Sequence, residues 1–189
     1  MLLTLLHPRM ILLSLYFLTL GLFNGFVLGI YPTCFAFTKS LSAYRYLPAA
    51  AMVLVGMGDV IMGLILSFLS RRIRNFGLVH SLIFGVILLS IAYSLIFLSV
   101  SEWAFVHPTE QPSRLIQPSV ILCLSISFIF GLADACVMTA RTVICAVAMP
   151  ERRDQVFAVS KLHQSLSSAI MFFTTPAMSV TNFIALLGG

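Results

Sequence analysis

Five apolar runs, each long enough to cross a bilayer, occupy most of this 189-residue chain, and ionisable side chains sit deep inside at least three of them. A hydrocarbon core of ~30 Å takes about 20 helical residues, so the runs at 10–31, 49–70, 78–100, 120–148 and 156–175 all qualify as transmembrane helices. With 60% hydrophobic and 9% charged residues, a soluble fold would expose apolar patches that water does not tolerate. Backbone groups in lipid must be satisfied within the spanning structure, and runs without two-residue alternation point to helices, not barrel strands. The expected fold class is an all-α membrane protein: one transmembrane helical domain over 1–189 with about five spans.

Basic residues in short connections are retained on the cytoplasmic side. Arg71, Arg72 and Arg74 follow the second run, Arg152 and Arg153 follow the fourth, and Arg9 precedes the first, so all fall on one side if the spans alternate. The other side has only Lys39, Arg45 and Arg114, with Glu102 and Glu110. Tyr31, Tyr44, Tyr46 and Trp103 flank the spans there, as an interfacial aromatic belt should. The expected topology has a cytoplasmic N-terminus and, after five crossings, an exoplasmic C-terminus, with the identity of the membrane open. The net charge of +5 is then a topology signal, and nucleic acid is not an expected partner. The opening residues lack a basic region ahead of the apolar run and a small-residue cleavage site, so the first span is expected to be retained. Cys34, Cys123, Cys136 and Cys145 have no paired spacing, which suggests neither a disulfide scaffold nor a zinc site. Buried thiols are expected, although Cys34 and Cys123 both fall toward the outer side and could pair.

In the first span Gly21, Gly25 and Gly29 recur at four-residue spacing with Asn24 beside the second. Such a stripe lets another helix approach closely, either within one protein or in a dimer. Tyr31-Pro32 is expected to end this helix, since the residue before Pro is pushed out of helical geometry. In the second span Asp59 lies ~16 Å from the start, near the midplane, and shares a face with Gly56 and Gly63. A charged carboxylate there costs ~2.5–3.5 kcal/mol, so it marks a structural hydrogen bond or an ion or proton site. Gly56-Met57-Gly58-Asp59 with Asp134 invites comparison with intramembrane aspartyl proteases. The chain lacks the Tyr-Asp span and the Pro-Ala-Leu segment of those enzymes. With no metalloprotease, serine-elbow or Walker motif either, no enzyme is expected and no cofactor or metal is implied. His80 falls near the cytoplasmic end of the third span and reads as interfacial.

The fourth span carries Asp134 and Arg141 on one face but ~10 Å apart along the axis, too far for a direct pair. In the fifth, Lys161, Gln164, Ser165 and Ser168 make a polar stripe expected to turn away from lipid, with His163 on another side as a packing residue. A hairpin at 150–155 brings Arg141 and Lys161 to similar depth. Asp59, Asp134, Arg141, Lys161 and Gln164 are therefore the candidate intramembrane polar or coupling site, expected to be sheltered by neighbouring helices.

Residues 127–169 resemble two helices of a known family: Gly131-Leu132-x-Asp134-x-Cys136 with Thr139, then Phe157-Ala158 and Lys161 with Gln164-Ser165. These residues are similar to the tenth and eleventh helices of the uncoordinated-ninety-three-like (ion channel regulatory protein) branch of the major facilitator superfamily. The Gly56–Gly63 stretch and the Tyr31-Pro32-Thr33-Cys34 exit resemble that family's seventh and eighth helices. The resemblance implies a twelve-helix, two-half fold of which this chain holds helices seven to eleven. Three positions depart from the family pattern. Ser67 stands where the superfamily's loop-motif aspartate would be, Met138 and Ala140 replace polar residues, and Arg141 replaces an apolar one. The first ten residues read like the end of a linker between halves, and residues 177–189 are too short for a twelfth span.

The function implied is a non-enzymatic regulatory or accessory subunit of an ion channel or membrane receptor, with the Gly21/Gly25/Gly29 stripe as one contact surface. The partners implied are the lipid bilayer and a potassium channel, another membrane protein or a missing N-terminal half. The alternatives are a proton- or ion-coupled solute transporter, with Asp59 and Asp134 titrating and Lys161 contacting an anionic solute, or an inactive fragment of one.

Overall fold

The computed structural model describes residues 8–33, 44–72, 78–99 and 119–175, and every long element among them is a helix. Helix α1 is Pro8–Gly25 and continues through a π-helical turn, Phe26–Ile30, as far as Thr33. Helix α2 is Leu47–Arg72, α3 is Leu78–Ser99, α4 is Val120–Ala148 and α5 is Arg153–Thr174, with a tight 3-10 turn at Pro150–Arg152 between the last two. By length and composition α1 to α4 can each cross a membrane. At 22 residues α5 is long enough but more polar, carrying Arg153, Asp154 and Lys161 along with its serines.

Helix α4 is the centre of the bundle, with α2 and α3 packed along it, while α1 runs beside α5 and both reach α4. Val55 of α2 lies against Gly131 of α4, and Met62 and Leu66 pack with Ala135 and Cys136, so α2 and α4 run parallel and in step. Helix α3 runs the opposite way: Gly85 meets Cys136 and Val137, whereas Ala92, Tyr93 and Ile96 pack with Cys123, Ile126 and Phe130.

Lipid tails are as apolar as leucine, so in a bilayer helices associate through close packing and hydrogen bonds, not through loss of water contact. The glycines decide where that packing is closest. A Cβ at Gly131 would meet the Val55 carbonyl, and one at Gly21 would meet the Gln164 carbonyl. Gly25 abuts Met171 and Ser168, and Gly29 sits under the Phe172 ring. The glycine stripe is therefore the seam between α1 and α5 of one chain. As a contact surface for another protein it is already covered, which corrects that part of the expectation. Gly56 and Gly63, by contrast, have no neighbour within 4 Å among the described residues, which leave that side of α2 open.

Hydrogen bonds reinforce the same seams. Ser167 donates to the Leu18 carbonyl at 2.6 Å and Ser168 to the Gly21 carbonyl at 2.7 Å, tying α5 to α1. Tyr31 donates to the Cys123 carbonyl at 3.1 Å, and its ring meets Phe130 edge-on at 5.4 Å, beside Phe26 and Tyr93. Such edge-to-face pairs stabilise beyond their buried area.

The expected helix stop at Tyr31-Pro32 does not occur. Tyr31 keeps helical dihedrals, its N–H bonds the Phe26 carbonyl five residues back, and the Thr33 hydroxyl donates to the Ile30 carbonyl. The carbonyl that Pro32 deprives of its ordinary donor, that of Leu28, falls inside the π turn, where the bonding ladder has already changed register.

Candidate functional site

The polar residues of α4 and α5 meet through one amide. Arg141 Nη1 donates to Gln164 Oε1 at 2.8 Å, and Lys161 Nζ donates to the same oxygen at 3.1 Å. The tight turn at Pro150–Arg152 folds α5 back along α4, which sets the two cations at one depth. Gln164 itself is buried, because its backbone lies in the glycine seam against Gly21.

Asp134 lies two turns along α4 from Arg141, half-buried, and its Oδ1 is enclosed without a hydrogen-bond partner. Asp59, Arg141 and Lys161 are all near enough to act on its charge. The parallel register of α2 and α4 explains the first of these: Val55 is level with Gly131, and so Asp59 is level with Asp134. Arg141 Nε is likewise buried without an acceptor. Tyr16 of α1 completes the surroundings. Its hydroxyl donates to the Val137 carbonyl at 3.2 Å, within electrostatic reach of Arg141.

Two observations bear on the expected shelter from lipid. Asp59 and Lys161 are exposed on the surface of this chain, so its own helices shelter Gln164 and part of Asp134 but not those two charges. On α5 Val156, Val159, Ser160, Gln164, Ser167 and Met171 are buried, so of the polar stripe Gln164 faces the bundle while Lys161 and Ser165 point outward. Ser160 and Ser167 tolerate that position because each hydroxyl finds a backbone carbonyl, of Phe157 and Leu18. His163 Nδ1 donates to the Val159 carbonyl at 2.9 Å, away from the cation pair, which fixes its tautomer.

The remaining candidates are peripheral. Arg71 and Arg72 end α2, with Arg72 over the Phe68 ring, Arg152 ends the 3-10 turn and Arg153 begins α5; all four are exposed. Cys123, Cys136 and Cys145 are buried free thiols. Arg74, Cys34 and the side chain of Arg9 lie outside the described residues. Sequence reasoning missed Tyr16 and Ser167, since a hydroxyl in an apolar run carries no local sign of the carbonyl it will meet, and it placed Tyr31 in the interfacial belt, whereas that ring is buried against Phe130.

A family model described as ion channel regulatory protein UNC-93 matches residues 1–188. Among curated proteins, the UNC93-like protein MFSD11 of Xenopus tropicalis is 32% identical over 168 residues, and that of Xenopus laevis is 31% identical over 171. Each alignment covers 87% of this chain, which spans only 38% of the length of either relative. No solved structure matches the chain. The match along almost its whole length shows that the chain belongs to the UNC-93 family.

Proposed function

We infer that the chain acts as part of a non-enzymatic regulatory membrane protein, an accessory subunit that docks its open polar edge against an ion channel or membrane receptor. The observation that carries this reading is the exposure of Asp59 and Lys161 on helices of membrane-spanning length. Each charge facing acyl chains would cost ~2.5–3.5 kcal/mol, so an edge bearing both is built to meet protein or water. The family's description as ion channel regulatory supports a channel as the protein that it meets. The remaining segments of a longer protein, of the kind the Xenopus relatives possess, are the other surface able to cover it.

Co-expression with a potassium channel tests the proposal. The expected result is co-purification and a changed whole-cell current, both weakened by Asp59→Asn and Lys161→Gln; an unchanged current without co-purification removes the accessory role. A second reading, an ion- or proton-coupled carrier, is supported by the enclosed and unpartnered Oδ1 of Asp134. It expects uptake into proteoliposomes that Asp59→Asn or Asp134→Asn reduces, and flux unaltered by both substitutions excludes it.

A further inference from the structure

Among the described residues, the two cations gathered on Gln164 make no direct ion pair, and Asp134 acts on them only from a distance. An amide oxygen offers two lone pairs, and Arg141 Nη1 and Lys161 Nζ take both. Two like charges within hydrogen-bond reach of one neutral atom repel, far more strongly at membrane depth than in water. Among the described residues no carboxylate bonds either cation. Asp134 leaves Oδ1 without a partner, and Asp59 is exposed on α2. The Arg141 guanidinium also keeps Nε without an acceptor. Lys161 is exposed among the described residues, so the pair can be approached from its side.

Among the described residues no other feature combines charge, convergence and access in this way. The arginines at the helix ends follow from membrane topology, the three thiols are enclosed, and the bare apolar sides of α2 and α3 suit acyl chains.

We propose that Arg141 and Lys161, held together by Gln164, form a binding site for a small monovalent carboxylate that enters beside Lys161. A guanidinium and an ammonium group both make short charge-assisted bonds to carboxylate oxygens, and together they supply the two donors that such a group accepts. Gln164 is a positioning residue: it fixes both cations while its own oxygen stays neutral. Asp134, further along α4, opposes a second negative charge and so favours a monoanion over a dianion. The site exists whether the open edge serves a channel or a carrier.

Titration calorimetry of the full chain in phosphatidylcholine nanodiscs, with acetate as the probe, tests the site. Saturable binding is expected, weakened at least about tenfold by Lys161→Gln, the loss of one charge-assisted bond. Gln164→Glu supplies the missing carboxylate from the chain itself, so it should abolish acetate binding and raise the thermal unfolding midpoint. Nanodiscs containing phosphatidylserine separate the sources. Unchanged acetate affinity identifies a dissolved carboxylate as the ligand, and competition by the lipid identifies its headgroup. The proposal is overturned if wild type shows no saturable acetate binding, or if Gln164→Glu or Lys161→Gln, eluting as wild type on gel filtration, binds acetate with wild-type affinity. None of these readouts depends on a channel current, so the site and the accessory role fail separately.

Discussion

A neutral amide that serves two cations has a single acceptor atom, so deleting it strands both charges at once. Gln164→Leu should therefore destabilise the chain by about 1–3 kcal/mol, most of it through Arg141, since exposed Lys161 can turn to water or to a covering protein. Adding Arg141→Met should recover most of the loss, because the buried unpaired charge is then gone. Unfolding in nanodiscs across the double-mutant cycle measures the coupling; strictly additive effects would mean that the 2.8 Å bond contributes nothing. At this scale the sequence revealed the depth but not the partner. Helical periodicity and a short turn were enough to level Arg141 with Lys161. That one glutamine would receive both depended on the rotation of α5 against Gly21, which side-chain pattern alone leaves undetermined.

Between elements, the glycines divide into those with backbone above them and those with open space, and substitutions should follow that division. Gly131→Leu drives a side chain into the Val55 carbonyl and Gly21→Leu into that of Gln164, so each should cost at least about 1–3 kcal/mol and separate α2 from α4 or α1 from α5. Gly56→Leu meets nothing within 4 Å and should leave thermal stability of the isolated chain unchanged. Thermal unfolding of the three variants in detergent decides the matter, and a Gly131→Leu protein as stable as wild type would refute the seam. The apolar runs announced the helices themselves, and the run at 120–148 coincides with α4. The four-residue glycine spacing announced a close-packing face but not its occupant. The continuation of α1 through Pro32 was illegible, because it rests on a π turn that depends on packing among Phe26, Tyr31 and Phe130. The polarity of α5 has a similar origin: serines that read as polar in a hydropathy profile are satisfied by carbonyls of α1 and of α5 itself.

For the molecule as a whole, the decisive quantity is which ends of the helices share a side. Helices α2 and α4 run parallel and α3 runs against them, so the exposed Arg71 and Arg72 lie at the same end of the bundle as the turn before Arg153, while Tyr44 and Tyr46 lie at the other. Basic residues at one end and tyrosines at the other is the distribution that a bilayer with a cytoplasmic basic side selects. Helix α5 starts at the basic end and runs beside α1 in the same direction, with Gly21 level with Gln164 and Gly25 with Met171, and we propose that it crosses as a fifth span. Such a crossing would carry the exposed Lys161 into the bilayer span. Single cysteines at Ser70, Glu151 and Tyr46, placed in a chain whose native cysteines are replaced by serine or alanine, should report this arrangement in sealed, right-side-out vesicles. An impermeant maleimide should label the Tyr46 position before permeabilisation and the other two only after it. Positions 59 and 161, tested in the same way, should react with a water-borne maleimide in the chain alone and become protected when the docking protein is co-expressed. Labelling of Ser70 and Glu151 from opposite sides would break the parallel pairing, and positions 59 and 161 that stay unreactive throughout would place both charges against lipid and remove the basis for a docking edge.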